Sequence, residues 1–356
     1  MNESARPRVG FTCSYTPLPL IHAAGFEPYR MLPLRNAPDQ AGGILHDNLC
    51  PEVKRVLDRR LSGDLPPLAG VIFVNSCDAM RRLGNAWEAL ELDRNTAMLD
   101  VPTVQDAAAG RYLAVRLEEL RDRLGDWAGT PVEDDTIRAS TALYDRLFDA
   151  LAALGERVGE GNFAGGRPAY QEWLNRSVCE SPETVLAELL VALEDPDLRS
   201  VPSPDDVPLL VFGNVLPDPE AAALFEGCGA RVVDDDLCSG SRQLTRVGDG
   251  VDGSPIDRLA AALMGRPLCA RTMRHADGAA LAEQVIAGVR AAGARGAVAH
   301  VVKFCDPYLV RLPALREGFR DAEVPLLVLE GDCTLRSLGQ QRTRIEAFVE
   351  MLREAP

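Results

Sequence analysis

Nine cysteines are the residues of this 356-residue chain best suited to chemistry. Two stand in matching surroundings. Val71–Leu83 reads VIFVNSCDAMRRL and Val298–Leu312 reads VAHVVKFCDPYLVRL. Each is an apolar, β-branched strand, then a Cys-Asp pair (Cys77-Asp78, Cys305-Asp306), then a helix start. The aspartates suit an N-cap, whose carboxylate accepts an orphan N–H, and Pro307 suits a first helical turn. A third thiol, Cys50 in Leu49-Cys50-Pro51, opens another helical stretch. These positions put Cys77 and Cys305 at the carboxyl ends of strands, where open α/β sheets build their sites. Two such thiols far apart in sequence call for two domains facing each other across a cleft.

Cysteine thiolates are the usual ligands of iron–sulfur clusters. Three at one cleft leave one iron open, as catalytic metal sites do. Helix N-termini beside Cys50, Cys77 and Cys305 are expected to lower the thiol pKa values. The plain alternative is that each is a small buried hydrophobe, and spacing alone leaves both readings standing. Cys13, ending the first strand, and Cys333, following the last, could reach the same rim and add ligands. Cys179, Cys228, Cys238 and Cys269 read as packed thiols.

Other chemistries find little support. There is no CxxC pair, P-loop, HExxH or nucleophile elbow. His22, His46, His275 and His300 form no ligand spacing, and His22 and His300 sit in apolar contexts that suit a core. Asp234–Asp236 reads as a solvated turn or a weak cation site. Arg342 and Arg344 could hold a phosphate or be helix-surface charges. A net charge of −15 argues against nucleic acid or an anionic membrane as the main partner. No run approaches the roughly 20 apolar residues of a membrane span, and MNESARPRVGF lacks a signal core. The expected location is cytoplasmic, where thiols stay reduced.

The elements that must position these thiols follow from periodicity. Strands are expected at 8–12, 27–32, 68–74 and 97–99, alternating with helices at 17–24, 52–61 and 79–90, the pattern of a parallel sheet. From Asp106 the period becomes helical, with helices at 106–126, 133–157 and 183–193 forming a connector or lid whose flexible part is Gly159–Gly166. Alternation resumes at Val207–Gly213, with strands at 230–233, 297–302 and 325–329 and a closing amphipathic helix at 340–353. VGFTCSYTPLPLIHAAGFEPYRM lies beside LLVFGNVLPDPEAAALFEGCGARVV with the same order of elements. The predicted fold class is therefore α/β: two Rossmann-like parallel-sheet domains (1–105 and 205–356) related by internal duplication and joined by a helical segment (106–204).

Five motifs in order, CSYTPLPLIHAAGFEPYRM, LHDNLCPEV, VIFVNSCDAMRRL, VVKFCDPY and GQQRTRIEAFVEML, resemble the 2-hydroxyacyl-CoA dehydratase family, which also includes benzoyl-CoA reductase subunits. The resemblance implies a [4Fe–4S] cluster held by Cys50, Cys77 and Cys305. It also implies a homologous second subunit or homodimer, an ATP-dependent iron–sulfur activator and an acyl-CoA substrate. The activity it implies is radical dehydration of an (R)-2-hydroxyacyl-CoA, a lyase reaction of anaerobic metabolism. An ATP-driven low-potential reductase of benzoyl-CoA or double-cubane [8Fe–9S] type is the enzyme alternative; an electron-transfer subunit is the non-catalytic one. Two departures stand out. The chain begins almost at its first strand, without the N-terminal helical segment of longer subunits. Cys333 is unexpected for the family, and with Cys13 and Cys238 it brings the possible ligands to six. Tyr15, Ser14 and Ser76 lie beside candidate ligands, but no residue is identified as the catalytic base.

Overall fold

Two sheets of four parallel strands organise the chain in a computed structural model, which describes residues 6–34, 39–248, 252–272, 279–333 and 338–354. The first contains β1 (Arg8–Phe11), β2 (Glu27–Arg30), β3 (Leu68–Val74) and β4 (Thr96–Leu99), in the order β2-β1-β3-β4. The second contains β5 (Val207–Gly213), β6 (Ala230–Leu237), β7 (Gly296–Val302) and β8 (Leu326–Gly331), in the order β6-β5-β7-β8. The repeated order is what an internal duplication leaves behind, and the architecture is α/β as the alternation predicts. The inner strands β3 and β7 are apolar apart from His300, because both faces are covered. Alternate residues take opposite sides: Ile72 and Val74 join one core, Val71 and Phe73 another.

Helices α1 (Leu18–Ala23), α2 (Pro51–Leu61), α3 (Asp78–Ala89) and α4 (Ala107–Ala128) belong to the first sheet. Helices α5 (Asp134–Glu160), α6 (Gly166–Arg176) and α7 (Pro182–Glu194) build a separate core with Phe11 and Leu18. Around the second sheet lie α8 (Pro219–Glu226), α10 (Ala280–Ala291), α11 (Asp306–Asp321) and α12 (Leu338–Glu354). Helix α9 (Pro255–Met264) crosses over: Ile256, Leu259, Ala260 and Leu263 pack into the first sheet's core beside Leu113 and Leu117 of α4. No helix among the described residues is long and apolar enough to cross a membrane.

One local reading is corrected. Asp234–Asp236 does not form a solvated turn; it continues β6, which runs to Leu237. Its charges are tolerated because Asp235 pairs with buried Arg167 of α6, and Asp236 with buried Arg242 at 2.7 Å. The helical middle packs its own core against Phe11 and Leu18 of the first half. α5 runs so close to β6 that a Cβ on Gly159 would fall 2.3 Å from the Val233 carbonyl oxygen, and Gly161 caps α5 at φ 78°.

Candidate functional site

The carboxyl ends of both sheets open onto one cleft. Six thiols line it: Cys13, Cys50 and Cys77 from the first half, Cys238, Cys269 and Cys305 from the second. This is the crevice that strand ends create in doubly wound sheets, here shared between two such sheets.

Local structure places each thiol. Cys50, Cys77 and Cys305 are themselves the N-cap residues of α2, α3 and α11. Asp78 and Asp306 are therefore the first helical residues and not the caps expected. Where a serine or aspartate would normally accept the orphan N–H, the Cys77 sulfur accepts the Met80 N–H at 3.4 Å. Asn214, just past β5, donates through Nδ2 to the Cys305 sulfur at 3.1 Å while its Oδ1 accepts the Val302 N–H at 2.9 Å. Phe304 takes the left-handed conformation at φ 58° so that the next residue faces the cleft.

The thiols fall into two sets, Cys50, Cys77 and Cys305 and then Cys13, Cys238 and Cys269, with Cys77 close to Cys13 as well. Burial, the Glu52 charge and the nearby thiols Cys305 and Cys77 push Cys50 well up; burial first, and later Cys77, push Cys305 up to about 12. Burial drives Cys77 up to about 11 against the Met80 N–H. The expected lowering by helix N-termini is thus overturned, because desolvation of a thiolate outweighs it. In the second group, burial raises Cys13, and lifts Cys238 to about 11 with Arg242 pulling against it. Cys269 goes the other way: burial opposes ionisation, but Arg242, the Thr272 hydroxyl and Arg271 bring its thiol below the ordinary value. Glu52, also on the cleft wall, is pushed by burial up to about 7 despite Arg30.

Buried guanidiniums frame the thiols. Arg30 donates to the carbonyls of Thr12 and Cys238, joining the two halves at 3.2 and 2.7 Å. Arg242 pairs with Asp236 and reaches the Cys238 sulfur at 3.4 Å. No three His, Cys, Asp or Glu side chains among the described residues close on a single metal ion. The donor set is instead an array of sulfurs, the ligand type of a cluster that spreads its thiolates over several irons.

The remaining candidates are placed as follows. Cys333 is buried behind Cys50 and is not part of the cleft wall. Cys179 and Cys228 pack outside it, facing the carbonyls of Arg30 and Arg342. Tyr15, Ser14 and Ser76 line it. His22 is buried against Ser140 and Glu183, at 2.8 and 3.0 Å. His300 is fully buried in β7, His46 accepts the Asn48 N–H in a loop, and His275 lies outside the described residues. Arg342 and Arg344 donate to the carbonyls of Gly227 and Val328, away from the cleft. Cys238 and Cys269 line the cleft although their sequence context reads as packing. The first carried a usable signal: with β6 continued to Leu237, Cys238 ends a strand as Cys13 does.

A family model described as 2-hydroxyglutaryl-CoA dehydratase, D-component, matches residues 13–352. The chain is 27% identical to lactoyl-CoA dehydratase subunit beta of Anaerotignum propionicum, over 98% of this chain and 93% of that one. It is 22% identical to the (R)-phenyllactyl-CoA dehydratase beta subunit of Clostridium sporogenes, over 99% and 93%. A benzoyl-CoA reductase subunit of Thauera aromatica is 23% identical over 91% and 85%.

Proposed function

Because the chain belongs to the 2-hydroxyglutaryl-CoA dehydratase D-component family, we propose that it is an iron–sulfur subunit of a larger enzyme, with Cys50, Cys77 and Cys305 holding a [4Fe–4S] cluster in the cleft. The reaction assigned is dehydration of an (R)-2-hydroxyacyl-CoA after one-electron activation, together with a related second subunit and an ATP-dependent activator. The observation that supports the reading is that these three thiols, each the N-cap of a helix and drawn from both halves, line one cleft. The relatives' names, two of them beta subunits of dehydratases, support the larger assembly.

When bound, such a cluster supplies a low-potential electron and a Lewis-acidic iron. The chain's own residues do the rest. Cys50, Cys77 and Cys305 lose their protons to bind, because buried neutral thiols must ionise to become ligands. The Met80 N–H and the Asn214 amide donate to the sulfurs of Cys77 and Cys305, and hydrogen bonds to ligand sulfur tune cluster potential.

A second reading, an ATP-driven low-potential reductase with a double-cubane [8Fe–9S] cluster, is favoured by one observation: Cys13, Cys238 and Cys269 form a second group of thiols on the same cleft. Anaerobic purification with iron and sulfide analysis separates the two. About four irons per chain, lost in Cys50→Ala, Cys77→Ala and Cys305→Ala but kept in Cys13→Ala, Cys238→Ala and Cys269→Ala, supports the dehydratase-type cluster. About eight, reduced by all six substitutions, supports the reductase. Well-folded protein that takes up no iron on reconstitution overturns both.

A further inference from the structure

Residues 265–272, which follow α9, bring Cys269 from a helix packed on the first sheet's core to the cleft. One side chain there, Arg271, reaches both halves of the site. Its guanidinium donates to four carbonyls of the first half: Val101 at 2.6 Å, Pro102 and Ser76 at 3.2 Å, and Asn75 at 3.4 Å. These are the loops that leave the carboxyl ends of β3 and β4. Asn75 and Ser76 are the two residues before Cys77, so the same guanidinium that anchors this segment also fixes the approach to that thiol.

The other direction is equally connected. Arg271 lies 5.3 Å from the Tyr15 ring centre and Arg266 lies 4.6 Å from it, both within cation–π range. The Tyr15 hydroxyl meets the Thr272 hydroxyl at 3.3 Å, and Thr272 Oγ1 accepts the Cys269 N–H at 3.4 Å and meets its sulfur at 3.6 Å. A buried planar fork with five N–H donors is the one side chain that can satisfy several carbonyls of two separate loops at once. Lysine cannot reproduce that pattern.

We propose that Arg271 is a positioning residue that sets the separation of Cys77 in the first half from Cys269 in the second, by binding the loop before one and, through Tyr15 and Thr272, the thiol of the other. It touches no reacting atom; it acts through the thiols. Its geometric role is independent of what the cleft binds, whereas its consequence for iron rests on the cluster reading above.

The test uses Arg271→Met and Arg271→Lys in the full chain, with Arg59→Met as control. Arg59 is a similarly buried arginine that donates to Leu32 and Asp64 away from the cleft. Crystal structures of the metal-free variants are expected to show Cys77 and Cys269 displaced from their wild-type positions in Arg271→Met, and in Arg271→Lys, which keeps a charge to stabilise the fold. In iron-loaded protein, both variants are expected to surrender iron to a chelator about tenfold faster than wild type and to shift the EPR signal of the reduced centre. Arg59→Met should lower thermal stability without moving that signal. Thiols unmoved in the metal-free Arg271 variants overturn the proposal. Wild-type protein that takes up no iron overturns the cluster reading instead, and the metal-free structures still decide the role of Arg271.

Discussion

Lowering the pH from 8 to 4 should weaken the fold through His300 in a way one substitution removes. His300 sits in the middle of β7 with no exposed surface, and no well-formed hydrogen bond reaches either ring nitrogen among the described residues. Burial drives its imidazole down to about 4, against the opposing pull of Asp332 and the Val215 backbone. In the unfolded chain the ring has its ordinary value near 6.5. Between these values the unfolded state carries a proton that the folded state refuses, so stability falls as pH drops below about 6.5 and levels off below about 4. That gap corresponds to about 3 kcal/mol at most. His300→Leu replaces the ring with an apolar side chain of similar size. At pH 8 it should match or exceed wild type, since two unsatisfied nitrogens are gone. Urea unfolding followed by circular dichroism at pH 8, 7, 6, 5 and 4 should show the wild type losing up to about 3 kcal/mol relative to the variant, mostly between pH 6.5 and 4. Taking the difference at each pH cancels carboxylates and His22, which titrate in both proteins. Parallel curves would refute the argument.

Three further outcomes follow from geometry already described. Asp235→Asn or Arg167→Met, each leaving a buried charge without its partner, should cost about 3–5 kcal/mol in urea unfolding, and the apolar double variant should recover part of that. Metal loading at pH 7 should release about three protons for the group Cys50, Cys77 and Cys305, measured in a pH-stat, because burial keeps these thiols protonated beforehand; affinity should therefore rise with pH, and loading with no proton release would contradict the raised thiol values. Phe304→Gly should raise thermal stability, the left-handed backbone at φ 58° costing an ordinary side chain roughly 1 kcal/mol.

Much of this architecture could be read from the chain alone. β3, β5 and β7 are short, largely apolar runs rich in valine, and the ends of β3 and β7 locate Cys77 and Cys305 without any tertiary knowledge. α6 could not be read, since Gly165, Gly166 and Pro168 look like a loop until Tyr170 and Leu174 find the core of α5. β6 reads short for a related reason. Three aspartates in a row argue for solvent, and the arginines that neutralise two of them, Arg167 and Arg242, are placed by other elements. Cys269 shows the same limit. Nothing in PLCART announces a cleft residue, because what brings it there is α9 docking on the opposite half and Arg271 binding carbonyls nearly two hundred positions upstream. Local pattern reports what a segment prefers; it says nothing of partners that arrive from afar.

The N-cap position of Cys305 also orders events during synthesis. The first half emerges from the ribosome with Cys50 and Cys77 but without the third thiol, and domains fold as they are made. The place of Cys305 depends on β7 pairing with β5 and on the start of α11. A nascent chain therefore offers an incomplete set of sulfurs until nearly its whole length is out. On the cluster reading proposed above, loading would wait for finished protein, and a truncated product would carry an incomplete set of ligands.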